Sequence, residues 1–67
     1  MSEVARVTEI SARSAKGFED AIKTGIERAN ITLRGVKSAW VKEQQVVVDA
    51  GSITEYQVNL LVTFVLE

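Results

Sequence analysis

Two side chains in this sequence have the most to offer a ligand: its single tryptophan, Trp40, and the glutamine at position 57. An indole is a flat, polarisable platform for a planar molecule, and the amide of Gln57 offers that molecule's edge both a donor and an acceptor. Three carboxylates, Glu43, Asp49 and Glu55, flank a glycine-containing turn and could lie near one another around it. A calcium site wants about 6–8 oxygens, and no EF-hand loop or other acidic cluster accompanies them, so they read as solvated carboxylates. The rest of the inventory excludes chemistry. With no cysteine and no histidine among the 67 residues, a thiol nucleophile, an imidazole base, a disulfide framework and a zinc site all lack their side chains. No serine has neighbours that would activate it, and the four glycines assemble no phosphate-binding fingerprint. The chain reads as a binder and not as an enzyme.

Charge narrows the partners. Eight Lys and Arg against nine Asp and Glu leave a net charge of −1, which is not the basic footprint of a nucleic-acid binder. No apolar stretch approaches the roughly 20 residues of a membrane span, and the N-terminus lacks the basic-then-apolar pattern of a signal peptide. A soluble cytoplasmic protein is expected, since a secreted chain this small usually carries disulfides. No linker, repeat or low-complexity segment interrupts residues 1–67, so they are expected to form a single domain. In a chain this short a lone core rarely supplies more than about 3–5 kcal/mol. With no disulfide or zinc to help, self-association is the expected remedy.

The elements that position Trp40 and Gln57 follow from periodicity. Val4 to Ser11 mixes β-branched and polar residues and reads as a short strand. A polar segment, Ser11 to Gly17, follows, with Ser14 or Gly17 as candidate helix N-caps and Glu19 and Asp20 suited to the first turn. Phe18, Ala21, Ile22, Gly25, Ile26, Ala29 and Leu33 recur at three- and four-residue spacing, one apolar stripe along a helix. Gly25 within the stripe would let the helix lie close to a sheet, and Gly35 is placed for a left-handed C-terminal cap. Val36 to Val48 reads as a long strand, Asp49-Ala50-Gly51-Ser52 as a hairpin turn, and the row Tyr56, Val58, Leu60, Val62, Phe64, Leu66 as one buried face of a last strand. The expected fold is α+β: β-α-β-β, a three-stranded antiparallel sheet on one helix.

One helix covers one face of a sheet. On the other, Glu55, Gln57 and Asn59 give way to Leu61 and Val65 along the last strand. The middle strand is expected to carry Val36, Ser38, Trp40, Lys42, Gln44 and Val46 on one side. If Ala39 and Val41 face the helix, Trp40 faces away and joins an apolar patch that a small soluble chain would bury in self-association. Copies of Trp40 and Gln57 from neighbouring subunits would then converge on one pocket, although one chain has no deep cleft.

At these residues the sequence resembles the dodecins. The strand-helix-strand-strand order, the Tyr56-Gln57-Val58 triplet, Gly51 before the last strand and the ending Phe64-Val65-Leu66-Glu67, similar to the family's F-R-L-E, span essentially the whole chain. The resemblance implies a hollow dodecamer of identical chains that binds and stores or buffers a flavin (FMN, riboflavin or FAD) or a similar planar small molecule. In that family the isoalloxazine stacks on a tryptophan and is held at its edge by the glutamine of the triplet, a role that carries over to Gln57. Where the family commonly reads W-F-E-V, this chain reads Ser38-Ala39-Trp40-Val41. Ser38 therefore stands at the flavin-stacking position and Trp40 at the acidic one, a shift of about 6–7 Å along a strand. Gln45-Val46 replaces the family's R-G pair, and Leu61 and Val65 replace cations of the last strand. The alternative is a flavin-free relative that binds an ion such as calcium or another metabolite, or a purely structural cage.

Overall fold

A computed structural model of the chain describes residues 2–66. Four elements follow in the expected order: β1 Ala5–Ser14, α1 Phe18–Thr32, β2 Val36–Asp49 and β3 Ser52–Val65. The sheet is antiparallel throughout in the order β1-β3-β2, which places the last strand in the centre. That position explains its composition. Val58, Leu60 and Val62 of the alternating row are wholly buried beneath α1, and Ile10, Ala12, Ala39 and Val41 from the flanking strands pack beside them. The helix lies chiefly over β1 and β3. It buries Ala21, Gly25 and Ala29, while Phe18, Ile22 and Ile26 of the same stripe close over the core.

At Gly25 helix and sheet approach closely. A Cβ there would stand 3.1 Å from the Cβ of Ala12 and 3.2 Å from Cδ1 of Leu60. A branched side chain must push the layers apart, so Gly25→Val is expected to cost about 1–3 kcal/mol and to lower the thermal midpoint by roughly 5–20 °C. A circular-dichroism melt unchanged from wild type would show that α1 and the sheet do not meet at this point.

Sequence and structure differ at several boundaries. β1 runs on to Ser14, through half of the segment read as polar loop, because β3 continues and supplies partners as far as Ser14↔Tyr56. Gly17 is the helix N-cap, but it has no side chain to offer. Ser14 instead accepts the Lys16 N–H at 2.9 Å and donates to Asp20 Oδ2 at 2.6 Å, tying the end of β1 to the first turn of α1. At the other end Leu33, not a glycine, is the C-cap, its N–H donating to the Ala29 carbonyl at 2.8 Å. Gly35 does take a left-handed conformation, φ 72°, but two residues later, where the chain turns into β2 and its carbonyl accepts from Val65 N–H. The β2–β3 turn is the anticipated one: Asp49 faces Ser52, and Ala50 and Gly51 both have positive φ, as a two-residue turn matched to strand twist requires. Glu67, last of the Phe64-Val65-Leu66-Glu67 ending, lies outside the described residues.

The parity of β2 is where alternation misleads most. Register shifts fall between Val36 and Ser38, between Val41 and Glu43 and between Val47 and Val48. Each unpaired residue reverses the faces beyond it. Val36, Gln44 and Val46, expected beside Trp40, therefore lie on the helix side, opposite Phe64, Val58 and Tyr56, and Glu43 and Gln45 take the far side. Trp40 itself faces away from α1, as expected, paired with Leu61 between the helix-side residues Ala39 and Val41.

Candidate functional site

The sheet face that α1 leaves uncovered is divided along its length. At one end Trp40, 75% exposed, pairs across β2–β3 with Leu61 beside Lys42, and the three line a shallow cleft of about 220 Å³. Val7 and Ser38 lie one step further along this face, both opposite Thr63. Lys42 reaches across β3 to Glu9 Oε1 at 3.2 Å and marks the inner limit of the apolar end.

The other end is polar and centres on Gln57. The register sets Arg13 of β1 and Gln45 of β2 directly opposite it on its two sides. Gln57 Oε1 accepts from Arg13 Nε at 2.9 Å and from Gln45 Nε2 at 3.5 Å. Its Nε2 donates to Asn59 Oδ1 at 3.3 Å, and Asn59 in turn donates to Glu43 Oε1 at 3.1 Å. One chain of amides thus links all three strands. Arg13 also lies 3.9 Å from Glu55, a loose pair between half-exposed side chains.

All three residues singled out in the sequence share this face, but a single chain does not bring them together. Trp40 is level with Leu61, four residues along β3 from Gln57, which is roughly 13 Å of strand. Ser38, level with Thr63, is roughly 20 Å away. The three hairpin carboxylates are also spread out. Glu43 is opposite Asn59, Glu55 opposite Val47 and Asp49 beside the turn. Among the described residues no three His, Cys, Asp or Glu side chains are placed to hold a metal. A larger groove of about 360 Å³ runs between β1 and α1, lined by Ile10, Ala12, Gly25 and Arg28 among others, and includes none of Ser38, Trp40 or Gln57.

Sequence reasoning missed Arg13 and Gln45 as neighbours of Gln57. The signal for Arg13 was parity: with β1 extended by three residues it falls on the same face as Glu9 and Ser11. Gln45 was hidden by the shift at Val41/Glu43, which no local pattern announces.

The geometry can be set beside known proteins. The family model described as Dodecin matches residues 4–67. A curated Dodecin from Thermus thermophilus is 37% identical over 67 residues, all of this chain and 97% of that one. The crystal structure of a T. thermophilus protein superposes with a TM-score of 0.92 at 36% identity, covering 98% of this chain and 97% of that chain. A dodecin from Streptomyces davaonensis superposes at 0.93 and 34% identity, covering 100% and 98%. A calcium dodecin from Mycobacterium tuberculosis, described as calcium-chelating with a novel calcium-binding site, superposes at 0.82 and 31% identity, covering 96% and 91%.

Proposed function

The chain belongs to the dodecin family, and from that premise we propose that it is a non-catalytic protein that binds and stores or buffers a flavin or similar planar small molecule in the cytoplasm, within a closed homo-oligomeric shell of twelve copies. The observation that supports this most directly is the uncovered face: an exposed indole and a half-buried glutamine on one side of a sheet too thin to bury them. The shape agrees. The radius of gyration is 13.8 Å, against about 11 Å for a compact chain of this length. The accessible surface is 5120 Å², against about 4,200 Å² for a compact monomer of its mass. Beyond Tyr56 the β2–β3 hairpin has no third strand among the described residues, and Val48 and Ile53 stand more than half exposed on it. Trp40 and Gln57, far apart in one chain, become neighbours of one ligand when subunits meet face to face. No helix among the described residues is long and apolar enough to cross a membrane.

The test is the absorption spectrum of the purified protein, followed by titration with riboflavin and FMN while flavin fluorescence and the emission of the single tryptophan are recorded. Saturable quenching is expected. Gln57→Ala should weaken it by about 1.5 kcal/mol, roughly ten-fold, through loss of the edge hydrogen bond. Colourless protein with no saturable quenching would end the flavin reading. Ser38 at the stacking position and the calcium-chelating relative favour one second reading, a flavin-free ion-binding shell. Calorimetric titration with calcium ion separates the two.

A further inference from the structure

The polar end of the uncovered face contains more than the glutamine. We propose that Arg13 is a ligand-contacting, specificity-determining residue that biases this site toward planar molecules carrying an anionic oxygen group; the proposal rests on the reading of Gln57 and Trp40 as ligand-binding.

Three features of the geometry lead there. First, Arg13 sits on extended backbone in β1, directly opposite Gln57, and its Nε is held to Gln57 Oε1 at 2.9 Å. Beyond that bond neither Nη group donates a hydrogen bond among the described residues, and Nη1 stands 3.9 Å from Glu55 Oε1. Second, both neighbours of Gln57 direct donors at its carbonyl oxygen. The acceptor of the amide is therefore occupied within the protein. What the pair still offers is one Nε2–H of Gln57 and the two Nη groups of Arg13, donors that ask the ligand for acceptors. A rigid fork of charged donors matches the spacing of two oxygens on a phosphate or carboxylate.

Third, the competitor for those Nη groups among the described residues is weakly held. Glu55 Oε1 is 3.9 Å from Arg13 Nη1, with the two side chains 42% and 56% exposed. An exposed pair at this distance contributes little, so an incoming anion displaces Glu55 at small cost. Lys42, also on this face, lies further along and is already paired with Glu9 at 3.2 Å. Arg13 is thus a cation beside Gln57 that an anionic group on a ligand's flexible arm can take over from Glu55.

FMN and riboflavin share a ring system and differ by one phosphate, which makes them matched probes. Wild type, Arg13→Gln, Arg13→Lys and Glu55→Gln are titrated with both at low salt, and elution volume establishes that each variant assembles as wild type does. Wild type is expected to prefer FMN. Arg13→Gln should lose about ten-fold more affinity toward FMN than toward riboflavin. Arg13→Lys should restore part of the loss as a point charge without the fork, and Glu55→Gln should tighten FMN binding by removing the competitor. If Arg13→Gln leaves the ratio of the two affinities unchanged, or weakens both equally, Arg13 is not a specificity residue. Should Arg13→Gln not fold, Glu55→Gln decides, and FMN affinity unchanged or weakened there overturns the proposal. Wild type that binds neither probe overturns the flavin reading and this inference with it. Wild type that binds while the ratio ignores Arg13 and Glu55 overturns this inference alone.

Discussion

Leu60→Ala is expected to destabilise the protein by about 2–5 kcal/mol, comparable to the roughly 3–5 kcal/mol a lone core of this size can supply. Leu60 has no exposed surface, lies at the middle of the central strand and is flanked in the register by Ile10 and Val41. Its Cδ1 also fills the space that the missing side chain of Gly25 leaves open on the helix above. Truncation leaves a cavity bounded by three strands and a helix, none of which can close over it without breaking pairing. For a domain this small each kcal/mol moves the midpoint by roughly 4–8 °C, so the melt should fall by at least about 8 °C or vanish. Leu61→Ala is the matched control, one residue on but facing the opposite way: it should leave the monomer core intact and act on association. A Leu60→Ala midpoint within about 5 °C of wild type would contradict this packing.

The second large effect concerns the uncovered face. Trp40→Asp should break assembly, because an unpaired carboxylate in a contact between sheets costs about 3 kcal/mol or more per copy, a hundred-fold or more in the association constant. Trp40→Phe, which keeps an apolar ring, should not. The measurement is light-scattering mass after size exclusion. Wild type is expected at twelve times the 7.4 kDa of one chain, and the aspartate variant at a small fraction of that. An aspartate variant that keeps the wild-type mass would show that this face lies outside the contact. A wild type of single-chain mass would remove the shell altogether.

These two positions also mark how far residue type and spacing reach. The burial of Leu60 is legible in the sequence because β3 pairs with β1 through ten consecutive positions without a shift. A row with an apolar residue at every second position from Tyr56 to Phe64 has one way to meet a helix. The outward direction of Trp40 is legible for a related reason: it lies between the first two irregularities of β2, with Ala39 and Val41 on either side. Gly25, the helix stripe and the Asp49–Ser52 turn are equally local signals, and each stands where its chemistry puts it. Beyond Val41 the same reasoning fails. A β-bulge is an adjustment of a long strand to the coiling of the sheet around its helix, and nothing in Lys42-Glu43-Gln44 identifies the residue that goes unpaired.

The sequence by itself determined the order of elements, the burial of Val58, Leu60 and Val62 in β3, the direction of Trp40 and the absence of cysteine and histidine. Each depends on residue type or on spacing within one segment. Only the tertiary structure decided that β1 extends to Ser14, that Arg13 and Gln45 flank Gln57, and that Trp40 stands roughly four residues of strand away from it. Those are relations between strands. They depend on register and on where a partner strand ends, quantities set by the packing of the whole sheet against α1 and not by any stretch of chain alone.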